Sequence, residues 1–385
     1  MSRVFKPKAN QKSKNKNVNE GHNLSFLIGG LVLIFISLTL AFLASYSSAY
    51  RVDYSQASVE DQSLGDKLKS LVAETPKLDK ELYDQKLMEL ANYPVAVVST
   101  STPINATSTE ILKPWPVKAS YPNAGAVLPF KRIVAYYGNF YSKGMGVLGE
   151  YPKEEMIQKL KEEVRKWNEV DPETPALPAI DYIATTAQES AGKQGLYMLR
   201  MPDDQIDKAL DIAHEIDGIV ILDMQVGLST LPKELPLIEK YLKMPEVHLA
   251  IDPEFSMKTG ARPGTVVGSF NADDINYAAE YLAKLVRENN LPPKVLIVHR
   301  FTQDMVSGYK KIKPLPEVQI VMDMDGWGSP AKKINTYRTV IAPEPVQFTG
   351  FKLFYKNDLK APSTRMMVPE DLLKLQPRPI FIQYQ

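Results

Sequence analysis

Hydrophobic and polar positions fall into distinct regimes along this chain. Residues 1–22 are polar and basic, with Arg3, Lys6, Lys8, Lys12, Lys14 and Lys16. Phe26 to Ala44 then reads FLIGGLVLIFISLTLAFLA, without a charge. A helix of that length spans about 29 Å, close to a bilayer core. Leucines follow at helical spacing (Leu64, Leu68 and Leu71, then Leu82, Leu87 and Leu90), broken at Thr75-Pro76. Residues 94–129 hold VVSTSTPINATST and several prolines with no sustained period. Together these predict short helices and an extended linker, a stalk over residues 50–129.

From Arg132 onward, short branched apolar runs alternate with amphipathic helical stretches. The runs are Arg132–Tyr137, Ala179–Thr185, Gly218–Asp223, Val247–Asp252, Val295–His299, Val318–Asp323, Gly350–Phe354 and Ile380–Tyr384. Such runs read as buried strands of a parallel sheet. Helical patterns fall between them at Lys153–Asn168, Pro202–Glu215, Ala272–Asn289 and Pro369–Leu375, with Asp203, Asp273 and Ser329 at the expected N-caps. This predicts an α/β (β/α)8 TIM barrel over 130–385, behind a basic tail (1–22), a transmembrane anchor (23–49) and the stalk. An open doubly wound sheet is the alternative, but no G-x-G-x-x-G follows an early strand.

Charge and composition narrow the roles. The 46 basic and 45 acidic residues nearly cancel, which argues against nucleic acid as the main partner. Cysteine is absent, which excludes disulfides, thiolate zinc sites, cysteine nucleophiles and a lipoprotein anchor. The basic tail places the N-terminus in the cytoplasm and the barrel outside, as a single-pass membrane protein. A signal peptide cleaved near Ser47-Ser48-Ala49 is the rival reading. The sequence sets no oligomeric state.

Candidate chemistry lies where the apolar runs end. IVILDMQ, HLAIDPE, VLIVHRF and QIVMDMD each finish in ionisable residues, and the carboxyl ends of barrel strands are where such folds keep their chemistry. Residues two apart share a strand face, so one parity gathers Asp223, Gln225, Asp252, Glu254, His299, Asp323 and Asp325, with Tyr137 and Lys352 from the first and seventh strands. Asp252-x-Glu254 is the sharpest element: a charged Asp252 would raise the pKa of Glu254 and poise it as a general acid. Each residue also has a bland reading. Asp252 before Pro253 can cap a turn, Asp325-Gly326 is a common turn pair, and His299 can be a core histidine bonded to Asp323 or Asp252. Asp223 can pair with Lys352 or Arg300.

The D-x-E at the end of a fourth strand resembles the pattern of family-18 chitinases and muramidase-type barrel lysozymes. That resemblance implies Glu254 as proton donor, Asp252 as its partner and Asp323 as a stabilising carboxylate. The longer D-x-x-D-x-D-x-E run of chitinases is missing, since His248, Leu249, Ala250 and Ile251 precede Asp252. Ala135 and Tyr137 stand on the first strand where the lysozymes place an aspartate. YYGNFYSKGMGVLGEYP, IDPEF, IVHRF and GFKLFY are similar to uncharacterised exported bacterial barrel proteins, which implies location and fold but no reaction.

Tyr136, Tyr137, Phe140, Tyr141, Phe255, Phe301, Trp327 and Tyr355 fall near the same mouth, and sugar rings stack on such faces. Trp327 in the DGWG segment, and Tyr355, join the expected substrate-binding set. The expectation is a membrane-anchored glycoside-hydrolase-like barrel acting on cell-wall or surface glycan, peptidoglycan included. The alternative is a non-catalytic surface barrel that binds glycan or a partner. No motif indicates a cofactor or a zinc site. A carboxylate-only magnesium or calcium site and a Schiff-base role for Lys352 are weaker rivals.

Overall fold

The computed structural model describes residues 77–94 and 113–385. Eight parallel strands form a closed barrel: β1 (Arg132–Gly138), β2 (Ala176–Ala187), β3 (Ile219–Met224), β4 (Val247–Ile251), β5 (Lys294–Arg300), β6 (Val318–Met324), β7 (Phe348–Leu353) and β8 (Phe381–Tyr384). Each pairs with the next, and β8 closes on β1 through Ile133↔Phe381 to Tyr136↔Tyr384. Every apolar run singled out in the sequence is one of these strands.

Two layers of apolar side chains account for the runs. One parity (Ile133, Ala135, Ala179, Ile219, Ile221, Ala250, Val295, Ile297, Val321, Phe348, Phe381) fills the barrel interior. The other parity (Val134, Ile180, Val220, Leu222, Leu249, Leu296, Ile320, Phe351) packs outward against helices. Those helices include Lys153–Val170, Asp203–Glu215 and Ala272–Asn289. Ser329 is an N-cap, but Pro202 and Asn271 take the caps expected of Asp203 and Asp273. Asn271 wins because its side chain accepts from the Asp274 N–H while Asp274 answers its backbone, a reciprocal capping box. Between β5 and β6 there is no α-helix, only the 3-10 turns Gln303–Met305 and Tyr309–Lys311 and a short strand, Val306–Ser307, paired with Phe270–Asn271.

The stalk-and-linker reading of 50–129 is corrected where the chain is described. Helix α1 (Lys80–Ala91) and residues 113–129 belong to the barrel body. Tyr83 and Leu128 are buried against the interior layer, joining Ile133, Phe348 and Ile380 at the barrel floor. The Leu128 N–H donates to Gln319 Oε1 at 3.0 Å, and Gln319 Nε2 donates to the Leu128 carbonyl at 2.6 Å. The Arg378 N–H donates to the Leu90 carbonyl at 2.7 Å, and Trp115 Nε1 donates to the Ala342 carbonyl at 2.8 Å. An open floor would expose Phe348 and Phe381, and this segment covers them. The expected anchor, Phe26–Ala44, and its tail lie outside the described residues. Among the described residues no helix is long and apolar enough to cross a membrane.

Candidate active site

Continuing the interior parity past the apolar layer brings polar residues to the carboxyl ends of the strands. Asp181, Asp223, Asp252, His299, Asp323, Lys352 and Gln383 are all buried there. Gln225, Glu254 and Asp325 follow one step nearer the mouth. Above them opens a cavity of about 490 Å³, lined by Tyr137, Gln225, Asp252, Glu254, Asp325, Trp327 and Lys352 among others. Asp223, His299 and Asp323 do not reach it and form the layer beneath.

That layer is one connected network. Tyr137 donates to Asp223 Oδ2 at 2.8 Å and accepts from Gln225 Nε2 at 3.1 Å. His299 Nδ1 lies 3.2 Å from Asp323 Oδ2 and 3.6 Å from Asp325 Oδ2, while its Nε2 is 4.0 Å from Asp223 Oδ2. Lys352 Nζ is 3.0 Å from Asp325 Oδ1 and 3.8 Å from the centroid of the Tyr137 ring. Gly350 makes room for Asp323, because a Cβ there would meet Asp323 Oδ1 at 2.5 Å and Phe381 at 2.8 Å. The ion pairs expected of Asp223 are replaced: Lys352 takes Asp325, and Arg300 takes Glu344 at 2.6 Å.

Burial sorts the carboxyls. It pushes Asp181 up to about 8, assisted by the nearby charge of Asp223, and it raises Asp223 and Asp323 as well. Asp252 is raised well above the usual range, again first by burial. Burial opposes a charged His299. The hydrogen bond to Asp323 and the charges of Asp325 and Asp223 outweigh it, and the imidazole is pushed up to about 10. Asp325 likewise outweighs desolvation and raises Lys352. Glu254, only partly buried, is lifted to about 6 by desolvation and then by the charge of Asp325.

This corrects the sequence argument for Asp252. Burial favours its neutral form, and the carboxylate charge that lifts Glu254 comes from Asp325. Its Oδ1 accepts the Glu254 N–H at 3.0 Å and caps the turn Pro253–Phe255, so the bland reading of Asp252 describes its hydrogen bonding. Tyr355 is a second correction. It turns to the outer side of the barrel, where its hydroxyl lies 3.0 Å from that of Tyr136 and donates to Glu163 at 3.1 Å. It lies two residues past the end of β7, on the outward parity of Phe351 and Leu353. Tyr136, Phe140 and Tyr141 also do not line the cavity, whereas Tyr137, Phe255, Phe301 and Trp327 do.

Sequence reasoning missed Asp181, Gln383 and Phe354. Gln383 Nε2 donates to Asp181 Oδ2 at 2.6 Å in the buried layer, and Phe354 lines the cavity. The signal for Asp181 was present: it stands two residues after Ala179, in the same parity that exposed the other aspartates. His299, Asp323 and Asp325 bring ligand atoms within 4.8 Å of one another, a group able to hold a cation. Positive charge is already supplied there by Lys352 and the protonated His299.

No family model matches the chain, and no curated protein matches it. Among solved structures it is similar to a hyperthermophilic endo-β-1,4-glucanase in complex with substrate, at 10% identity and TM-score 0.37, covering 66% of this chain and 89% of that one. It is also similar to a glycerophosphoryl diester phosphodiesterase from Parabacteroides distasonis (11%, TM-score 0.30, 66% and 84%) and a ruminal GH26 endo-β-1,4-mannanase (10%, TM-score 0.28, 66% and 59%). Likenesses this distant say nothing about chemistry. The barrel is established by its own strand pairing.

Proposed function

We propose that this barrel hydrolyses a glycosidic bond, with Glu254 as proton donor and Asp325 as the second carboxylate. The observation that carries the reading is the unlike pair at the mouth. Glu254 is lifted to about 6, while Asp325, 3.0 Å from the Lys352 ammonium, faces the same open cavity. Glycoside hydrolysis asks for one carboxyl that holds a proton and one that is ionised. Glu254 gives its proton to the leaving oxygen as the bond to the sugar carbon breaks. Asp325 stabilises the positive charge that develops on the ring, and the water that completes hydrolysis gives its proton to a carboxylate of this pair.

The other residues serve these two. Asp252 fixes the turn that carries Glu254. Asp323 and Asp223 hold His299, whose charge sits beneath Asp325. Phe255, Phe301 and Phe354 supply apolar surface for sugar rings. This moves the stabilising role from Asp323, which lies below the cavity floor, to Asp325. The anchor at Phe26–Ala44 completes the reading: a single-pass membrane protein with its barrel outside the cytoplasm, acting on wall or surface glycan.

The test is turnover by the full-length chain in detergent on peptidoglycan, chitin oligomers and aryl glycosides, beside Glu254→Gln and Asp325→Asn. Loss of about 10²–10⁴-fold in each variant, with melting unchanged, supports the assignment. Wild-type turnover that survives Glu254→Gln overturns it. No turnover by the wild type, with glycan still bound, moves the reading to a non-catalytic glycan-binding barrel.

A further inference from the structure

Trp327 is 45% exposed on the loop after β6 and lines the cavity together with Lys332. The Lys332 ammonium lies 4.6 Å from the centroid of its indole, and the Lys360 ammonium lies 5.1 Å from it. Neighbouring lysines are paired: Lys333 with Asp358, Lys352 with Asp325 and Lys356 with Glu150. Among the described residues, neither Lys332 nor Lys360 has a carboxylate oxygen within 4.0 Å. Two unpaired cations therefore share one aromatic ring at the mouth of the site.

The loop is shaped for that arrangement. Gly328 sits at φ +140°, and a Cβ there would lie 2.7 Å from Lys332 Cδ. Any larger residue at 328 would push the Lys332 stem off its path to the ring. Nor are these lysines counter-ions for the site's own acids, because Lys352 already faces Asp325 at 3.0 Å.

A neutral sugar stacks on an indole through apolar contact with a free face. Here the ring attracts ammonium groups instead, and a neutral sugar would have to displace them while leaving both charges unanswered. An oxyanion presented at the mouth would satisfy both lysines by charge-assisted hydrogen bonds and leave the ring as their backing. We propose that Trp327, Lys332 and Lys360 form an anion subsite, and that the glycan taken by this cavity carries an acidic substituent, a carboxylate or a phosphate. This deepens the hydrolytic reading and rests on it for the identity of the site.

Titration calorimetry on full-length Glu254→Gln reads binding without turnover. The probes are a trigalacturonate, a phosphorylated trisaccharide and a neutral trisaccharide, each at low and high salt. The acidic probes bind at least about tenfold tighter than the neutral one at low salt, as expected of charge-assisted contacts. The preference falls with salt and is lost in Lys332→Gln/Lys360→Gln, whose melting is unchanged because both side chains are exposed. The uronate and phosphate arms show which oxyanion is preferred. Equal binding of neutral and acidic probes, or a preference that survives the double substitution, overturns the subsite. The two readings fail separately. Anion preference in a chain whose wild type turns over no glycan sinks hydrolysis alone, and turnover of neutral glycan indifferent to both lysines sinks the subsite alone.

Discussion

The buried pair Lys333–Asp358 gives the most exacting test of how the mouth is held. Both side chains are about 1% exposed and meet at 2.7 Å. Lys333 Nζ also donates to the Lys352 carbonyl at 2.7 Å, and Asp358 accepts from the Gly328 and Phe354 N–H groups at 2.9 and 3.0 Å. One ion pair thereby ties the Trp327 loop to the end of β7. Asp358→Asn leaves the lysine without its partner and sets an amide N–H against a backbone donor. Breaking a buried pair from one side costs about 3–5 kcal/mol, roughly 5–8 °C of melting temperature at the unfolding entropy of a domain of about 300 residues. Apolar replacement of a buried pair is often neutral. Here Lys333→Met/Asp358→Leu still strands the Gly328 and Phe354 N–H groups and the Lys352 carbonyl, at about 1–3 kcal/mol each, so the double variant does not recover. Thermal melts give the loss. Acrylamide quenching reports the loop, because Trp115 and Trp167 are buried at 5% and 0% exposure while Trp327 is open. Quenching should rise in Asp358→Asn under conditions where the variant remains folded. A loss below about 1 kcal/mol would refute the energetic argument. A large loss with unchanged quenching would refute the positioning one.

Other expectations follow from the same network. If Glu254 must be protonated, kcat/KM falls as pH rises through about 6, and Lys352→Met, which removes a cation that lowers that pKa, moves the limb upward; a limb indifferent to Lys352 counts against the electrostatic account. The folded pKa of Asp181, about 8 against an unfolded value near 3.9, means the native state holds an extra proton between those values. Stability from this group is present at acid pH and lost as pH rises through about 8, at roughly 1.4 kcal/mol per unit. His299, raised to about 10, adds the same sign between about 6.5 and 10. Melting temperature therefore drops from pH 5 to pH 9, and Asp181→Asn flattens part of that slope; a flat wild-type profile would contradict the burial argument. Starting the chain at residue 130 removes Tyr83, Leu128 and the partner of Gln319, so 130–385 should aggregate where 77–385 folds, as size exclusion would show.

Much of this was legible because strand parity is rigid. Ile219, Ile221, Asp223 and Gln225 could be assigned to one face by counting in twos, and the same rule carries to β4 and β6. Depth is not periodic, however. Asp323 and Asp325 share a parity, but the former is sealed beneath the cavity and the latter opens on it, which depends on where the barrel core ends. The floor segment was misread for a different reason. KELYDQKLMELA is half polar, and buries only Tyr83 and Ala91, so its sequence looks like a spacer. What holds it is a handful of backbone and glutamine hydrogen bonds to residues more than a hundred positions away. The tyrosine at 355 was misplaced for want of that same count in twos: it shares the outward parity of Phe351 and Leu353, while Lys352 and Phe354 face the cavity.

Depth also decides the role of Asp252, where the resemblance to chitinases and barrel lysozymes and the burial argument disagree. Just beyond β4 the chain passes from Asp252, 2% exposed at the cavity wall, to the more open Glu254 in the 3-10 turn Pro253–Phe255. The resemblance implies a partner whose charge assists the acid. Burial implies a neutral acid whose Oδ1 caps the Glu254 N–H. Asp252→Asn separates them, because asparagine keeps the capping oxygen and matches the neutral acid in shape but can never be charged. A charge-lending partner would be lost in Asn and Ala alike, and the pH limb of kcat/KM would shift downward in both. A neutral cap is preserved in Asn, with activity within a fewfold and the limb unmoved, whereas Ala frees the turn at a cost of about 1–3 kcal/mol and displaces Glu254. Loss of activity in Asn equal to that in Ala would restore the charged partner and sink the burial argument.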